Sequence, residues 1–415
     1  MRIKIPFGKD NIEINIPDKN IQDIISVEPG NLDLNEDKTI AQALEAPIKS
    51  EKLSGLACGK KSACIIVSDI TRPCPSYKFL PRLVEELNKG GIENKNIVVI
   101  LGLGNHRKHT EEEKRKLVGD YIYDNIETID SDVSNSKLIG QTSRGTPVEI
   151  FEKALGKDLL IATGNIEYHY FAGYSGGAKA VLPGMCTRNS IQYNHSLMLE
   201  EGASAGNFFN NPVRQDMEEA GRLAGIGFIF NVILDDKKNI IDAVAGKNNE
   251  AYLEGIKKYD SIYGREVQDT TDIVITSQGG YPKDMNLYQS HKALENVKDI
   301  VAENGTIILV ASCCEGYGDD IFKKWMADCR DYACLSERLK KKFVLGGHKA
   351  VAISRLLTKA DVLLYSDFSG NETEKMGFKK IDDIQEYLDN RISQDSKTKI
   401  TVVPTGRFVR LKNKR

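Results

Sequence analysis

The chain has 415 residues, 40% of them hydrophobic and 28% charged, the balance of a soluble globular protein with room for two or three domains. Its 57 Lys and Arg against 59 Asp and Glu leave a net charge of -2, which gives no electrostatic basis for binding nucleic acid or an anionic membrane. The N-terminus, MRIKIPFGKDNIEINIP, alternates apolar and polar residues, and nowhere is there an apolar run of about 18 residues, so the expectation is a cytoplasmic protein without a membrane span.

In chain order, short runs rich in Val and Ile predict strands at 62–69, 96–104, 158–165, 226–234, 272–279, 306–312, 361–367 and 399–406. Most are continuously apolar, the pattern of strands covered on both faces in a parallel sheet. Helical stretches lie between them: SYKFLPRLVEELNKGG ends on a Gly pair, and Thr110 with Glu113 forms a capping box just after a strand. Alternating strand and helix predicts an α/β protein of mixed, mostly parallel sheets flanked by helices. The polar stretch 258–272 is the best linker candidate. Eight cysteines form no C-x-x-C pair and predict buried structural thiols.

In such sheets, ligands bind beyond the carboxyl ends of strands. Four strand ends carry the distinctive residues: Asp69-Ile-Thr-Arg72, then Asn105-His106-Arg107, then Glu167-Tyr-His169, then the 280–292 segment with Tyr288, Gln289 and Lys292. Asp69 and Arg72 read either as a local ion pair or as an anion clamp built on the planar guanidinium. His106 reads as a loop hydrogen-bonder or as an acid/base, and His169, between two tyrosines, as packing or as an acid/base. His195 lies in a helical stretch, where a single histidine is more often structural than a ligand. If 287–292 is helical, Tyr288 and Lys292 share a face with Gln289 beside them, either a carboxylate clamp or a solvated surface.

The glycine-rich GYSGGAKAVLPG, residues 173–184, imitates a phosphate loop of the form G-x-x-x-x-G-K-[ST] but has Ala178 and Ala180 where the second glycine and the hydroxyl belong. Ser175, Gly176 and Gly177 remain able to offer N–H groups to a phosphate. Lys179, in apolar company, reads equally as a phosphate-binding ammonium or as a lysine of lowered pKa suited to covalent chemistry.

Together, DITRP (69–73), GLGNHR (102–107), GNIEYHYFAGYSGGAKAVLPG (164–184), the NH pair at 194–195 and GYPKDMNLYQSHK (280–292) resemble the nickel-pincer lactate racemase family. The resemblance implies a racemase or epimerase of a small 2-hydroxy acid, working by reversible hydride transfer through a 2-keto acid. It implies a nickel pincer nucleotide (a pyridinium-3-thioamide-5-thiocarboxylic acid mononucleotide with Ni(II)) attached to Lys179 and made by partner cofactor-synthesis proteins. His195 would ligate the nickel, and His106 and His169 would be the two acid/bases that two enantiomers demand. Arg72, Tyr288, Gln289 and Lys292 would bind the substrate. Asp69 would orient Arg72 or seat the cofactor together with Ser175, Gly176 and Gly177. The family also implies a cofactor-binding domain over 1–265, joined by 400–415, and a substrate-closing domain over 271–399, with the active site in the cleft between them.

Two residues stay open: Trp325, core or surface, and His348, after a possible strand in GGHKA. The alternatives are an epimerase of a longer hydroxy acid (malate, 2-hydroxyglutarate or a sugar acid) and a non-catalytic binder of a nucleotide or nickel. An NAD-dependent dehydrogenase would need a G-x-G-x-x-G turn between strand and helix, and none is convincing.

Overall fold

All eight apolar runs are strands in the computed structural model, which describes residues 1–26, 35–72, 74–329, 331–406 and the backbone of 410–413. Pro73, 407–409 and the end of the basic tail lie outside the described residues. No helix among the described residues is long and apolar enough to cross a membrane. The chain divides into two compact units, Pro29–Ile262, and Met1–Glu28 with Tyr263–Arg415.

The unit Pro29–Ile262 is built on a six-stranded sheet. Its order is Ile240–Gly246, Ile226–Leu234, Leu159–Asn165, Ala63–Ser68, Ile97–Gly102, Glu127–Asp130, parallel except for the first pair. The apolar runs are interior strands with both faces covered. Helix Ser76–Lys89 shows how one face is covered: Phe79, Leu80, Leu83, Val84 and Leu87 recur at helical spacing and are all buried in the core with Val67, Val99 and Phe230. Burying each such side chain contributes roughly 1.5–3 kcal/mol. The capping box at Thr110 and Glu113 starts helix Glu111–Val118.

From Ala63–Ser68 the chain steps outward through the next two strands, then returns to place Leu159–Asn165 on the other side. Strand order therefore reverses between Ala63–Ser68 and Leu159–Asn165. Such a reversal parts the loops at the strands' carboxyl ends and opens a crevice for a ligand.

The second unit repeats the device. Its all-parallel sheet runs Lys379–Lys380, Asp361–Tyr365, Val301–Val310, Thr271–Ser277, Ile400–Val403, Ile21–Ile24, with the reversal beside Thr271–Ser277. Here the chain ends depart from the sequence expectation. The described strands of the 400–415 segment pair here and not in the larger unit: Ile400–Val403 with Thr271–Ser277 and with Ile21–Ile24, and Arg410–Asn413 with Gly264–Val267. The physical reason is burial: Ile400, Val402 and Val403 are wholly inaccessible and need a strand on each side. The N-terminal alternation forms the antiparallel hairpin of Arg2–Phe7 with Asp10–Asn15, whose Ile3, Ile5 and Ile14 face this unit's core.

Of the cysteines, Cys64, Cys74, Cys186 and Cys313 are buried as expected, with burial pushing each thiol up, whereas Cys58, Cys314 and Cys334 are exposed.

Candidate active site

Two loops flanking the strand reversal of the larger unit carry most of the chemistry. The first follows Ala63–Ser68. Asp69 is buried (3% exposed) and its carboxylate accepts hydrogen bonds from Thr71 Oγ1 at 3.0 Å and from His106 Nδ1 at 2.5 Å. Burial acts to raise the Asp69 pKa, but the His106 hydrogen bond and charge, with Thr71, prevail and hold it below the ordinary carboxylate value. Because a carboxylate only accepts, Nδ1 of His106 carries the hydrogen and Nε2 is left as the basic nitrogen. Asp69 therefore orients His106, where the sequence suggested that it orients Arg72 or seats the cofactor; Arg72 acts on it through its charge. Arg72 is exposed and has no carboxylate partner among the described residues, so its fork is open to an anion.

Three residues past His106, His109 does a different job. Its Nε2 accepts from the Ile70 N–H at 3.0 Å and its Nδ1 bonds Asp130 at 2.6 Å, both nitrogens being used to pin the Asp69 loop.

The second loop follows Leu159–Asn165. The short strands Tyr168–His169 and Gly173–Tyr174 form a two-stranded hairpin, and the chain then turns through Gly176 (φ +81°) and Gly177 (φ +58°) into a single 3-10 turn, Gly177–Ala180. Both glycines have left-handed backbone, and a Cβ at Gly177 would lie 2.8 Å from Arg214 Nη2 and 2.8 Å from the Tyr252 ring. Arg214 is the foundation of this loop. Wholly buried, it donates to the carbonyls of Tyr174 and Gly176, both at 3.1 Å, pairs with Glu218 at 2.5 Å and stacks on Tyr252 with 4.1 Å to the ring centroid. Tyr252 donates its hydroxyl to the Ser175 carbonyl at 2.8 Å. Gly177→Ala is expected to destabilise the apoprotein by roughly 1–3 kcal/mol, through overpacking against this pair. Urea denaturation measures it, and unchanged stability would mean that Arg214 and Tyr252 are not fixed.

The phosphate donors are fewer than the sequence suggested. The Gly177 N–H donates to Asn231 Oδ1 at 3.0 Å and the Ser175 N–H to the Glu167 carbonyl at 2.8 Å, so both are spent inside the fold. Among the described residues, the Gly176 N–H and the Ser175 hydroxyl are left without a protein partner.

Lys179 stands at the end of this turn. Burial, with the charges of Arg72 and Arg214, lowers its pKa from 10.5 to about 7 against the opposing pull of Glu167 and Asp69. The amine is thus substantially neutral and nucleophilic near neutral pH. His195 belongs to the same cluster: burial first, then the charges of Lys179 and Arg72, bring its pKa down to about 3, leaving a neutral imidazole, the form that binds metals. It lies near the end of helix Arg188–Ser196, which is capped by the Thr187 side chain. Phe171 joins the second histidine to it, with ring centroids 4.6 Å from His169 and 5.0 Å from His195. The Ala172 N–H donates to His169 Nδ1 at 3.3 Å, which directs the ring hydrogen to Nε2, the reverse of His106.

The other unit holds the third set. Asn286 caps helix Leu287–Val297, on which Tyr288, Gln289 and Lys292 form one partly exposed patch. Lys292 Nζ donates to Gln289 Oε1 at 2.9 Å. Lys349 adds a cation, its ammonium 3.3 Å from the Tyr288 ring centroid. His348 does not follow a strand: it is buried in the first turn of helix Gly347–Leu357, accepting from the Gly346 N–H at 3.0 Å. Trp325 is core, 3% exposed, with Arg338 stacked on it at 4.1 Å.

Sequence reasoning missed Thr71, His109, Phe171, Arg214 and Tyr252. Only Arg214 left a usable sign, a cation four residues before Glu218 in a helix that starts at Asn211-Pro212.

A lysine of lowered pKa, a neutral imidazole and a carboxylate-oriented histidine gather at one strand reversal of an α/β fold, the place and the residue types of an enzyme's active site. Comparison with known proteins specifies the class. Residues 7–206 match the lactate racemase N-terminal domain and residues 267–410 the lactate racemase C-terminal domain. The chain is 34% identical to the lactate racemase of Thermoanaerobacterium thermosaccharolyticum, with 99% of each chain covered. It is 33% identical to that of Lactiplantibacillus plantarum, covering 97% of this chain and 98% of that one. The T. thermosaccharolyticum lactate racemase apoprotein structure superposes with a TM-score of 0.91 at 33% identity, over 99% of this chain and 100% of that one. A Thermotoga maritima protein shares the fold at a TM-score of 0.60 and 17% identity, over 88% of this chain and 99% of that one. The chain belongs to the lactate racemase family, and it is an isomerase.

Proposed function

We propose that this enzyme interconverts the enantiomers of a small 2-hydroxy acid, lactate or a close relative, with a nickel pincer nucleotide attached at Lys179. One observation carries the reading: Lys179, with its pKa lowered to about 7, shares a cluster with the neutral imidazole of His195. A neutral amine suits an amide-type linkage, and a neutral imidazole suits nickel(II). Among the described residues no group of three or more His, Cys, Asp or Glu is placed to hold a metal, so the remaining donors would come from the pincer. Ser175 Oγ and the Gly176 N–H would receive the single phosphate.

When bound, the group would accept hydride from the substrate Cα and return it to either face of the resulting planar 2-keto acid. The chain's own residues do the rest. His106, oriented by Asp69, takes the hydroxyl proton of one enantiomer at Nε2 as hydride leaves, and His169, as an imidazolium, gives the proton to the oxygen when hydride returns to the opposite face. The opposite enantiomer exchanges the two roles. Arg72 would be the carboxylate-binding group of the larger unit, and Tyr288, Gln289 and Lys292 the substrate-binding groups of the other.

The test is to produce the chain with and without cofactor-synthesis proteins and compare intact masses, map Lys179 by peptide analysis, and run a chiral assay on a panel of 2-hydroxy acids. An adduct on Lys179 containing nickel and two sulfurs, with racemisation only in the loaded form, is the expected result. An unmodified lysine, in a host that loads a known relative, would overturn the tether and favour a binding protein.

A second reading within the same chemistry, an epimerase of a longer hydroxy acid with a second carboxylate, is favoured by Lys349. Its ammonium, which lies over the Tyr288 ring and donates to the Tyr288 carbonyl at 2.5 Å, adds a positive charge to the patch that would suit such a carboxylate. Faster turnover of malate or 2-hydroxyglutarate than of lactate in the same panel would establish it.

A further inference from the structure

We infer that Asn194, held by Asp216, is the positioning residue that fixes which ring nitrogen His195 presents for binding. This rests on the proposed role of His195 as the nickel ligand, but its geometry stands independently.

Asn194 is wholly buried. Its Nδ2 donates to Asp216 Oδ2 at 2.8 Å and to the Val213 carbonyl at 3.0 Å. Both partners are acceptors only, so both amide hydrogens are used and the amide has one permissible orientation. A flipped amide would set its oxygen against a carboxylate and a carbonyl. The oxygen therefore faces His195, with Oδ1 and Nδ1 3.1 Å apart. An amide oxygen can only accept, so Nδ1 carries the hydrogen. In the neutral ring Nε2 then has the lone pair, and Nε2 is the nitrogen presented to a metal.

Asp216 is itself immobilised. It is wholly buried on helix Pro212–Ala224 and accepts from Thr142 Oγ1 at 2.5 Å and Thr146 Oγ1 at 2.8 Å, in addition to Asn194. The Thr142 hydroxyl has its own orientation fixed, because its oxygen accepts from the Thr146 N–H at 3.1 Å. The line Thr142–Asp216–Asn194–His195 runs from a buried turn to the ring, each member having one way to bond. The mechanism needs the histidine to ligate through one nitrogen; this line selects which, and fixes the ring orientation before any metal arrives.

Long-range 1H–15N correlation spectra of the full-length apoprotein, labelled with 15N-histidine, read the tautomer directly. The wild-type chain is expected to hold His195 with its hydrogen on Nδ1; an Nε2–H ring would overturn the inference whatever the cofactor proves to be. In Asn194→Ala the tautomer should shift toward Nε2–H, and nickel should leave the cofactor-loaded enzyme roughly 10–100-fold faster, the usual cost of losing a ligand's supporting hydrogen bond. Thr142→Val, which removes one Asp216 bond but leaves the amide orientation set, should retain the tautomer and the nickel. Asn194→Ala with an unchanged tautomer, or with unchanged nickel release, would overturn the positioning role. A chain that takes up no cofactor at all would count against the proposed function, while the wild-type spectrum would still decide the Asn194 geometry.

Discussion

Lys179→Ala is expected to yield a folded chain that acquires no covalent cofactor and shows no racemisation above background. The reasoning starts from the amine. With its pKa brought down to about 7, the Lys179 side chain is half neutral at pH 7, and a lysine at the ordinary 10.5 is almost entirely protonated. The difference amounts to about 10³-fold more nucleophilic amine. Lys179→Arg should fail equally, since a guanidinium keeps its charge. Intact mass after co-production with cofactor-synthesis proteins checks both variants, and an adduct persisting in Lys179→Ala would remove this lysine from the chemistry. The same shift has a stability consequence with a definite sign. A lysine whose folded pKa is depressed binds fewer protons in the folded state than in the unfolded one between about pH 7 and 10.5. Stability therefore rises with pH across that window, and the cost of burying the ammonium is fully present below it. The stability that Lys179→Ala gains over wild type should shrink as pH increases from 7 to 10.5, as read by urea denaturation of the two apoproteins.

The second large effect is expected from Asp69→Asn. The carboxylate accepts from Nδ1 of His106 at 2.5 Å and leaves Nε2 basic. An asparagine can turn its amide hydrogens toward Nδ1, which would move the ring hydrogen to Nε2 and remove the base. A loss of roughly 10²–10⁴-fold in kcat follows, the range for losing a positioned acid/base, with cofactor content unchanged. Retention of kcat within about tenfold would show that His106 needs no orientation or takes no proton. Because Asp69 is held below the ordinary carboxylate value of 3.8, its contribution to stability and orientation is present above that pH and is lost as pH falls through the lowered pKa. The neutral-pH shape of the wild-type rate profile is therefore set by groups other than Asp69.

Much of the frame was legible because it depends on local pattern. Continuous apolar runs such as ACIIVS and DVLLY need cover on both faces and are interior strands; Thr110 and Glu113 satisfy each other's backbone and start a helix. The glycine-rich loop was legible as a loop, and its lysine as unusual, from the failed phosphate pattern. Partners were not legible. Whether Asp69 would meet Arg72 or His106 depends on the alignment of two parallel strands, Ser68 beside Gly102, which brings the ends of two loops together. Nor could the sequence say that the Gly177 N–H would be taken by Asn231, a residue on a strand far along the chain. The chain-end pairing was hidden for the same reason: IQDI at 21–24 is too short and polar to announce itself as a strand, and it is one only because Ile400–Val403 offers it an edge.

That edge also orders events during synthesis. The unit that carries Lys179 and His195 is encoded without interruption and has every strand it needs once Ile262 has been made. The sheet of the other unit cannot be completed until Ile400–Val403 arrives to lie between Thr271–Ser277 and Ile21–Ile24. A chain emerging from the ribosome N-terminus first must therefore carry Ile21–Ile24 without its sheet partner while the lysine-bearing unit has all its parts. The surface that carries Lys179 can therefore form before the helix that bears Gln289 and Lys292 is anchored, an interval in which, under the proposed function, a loading partner would meet a half-built enzyme.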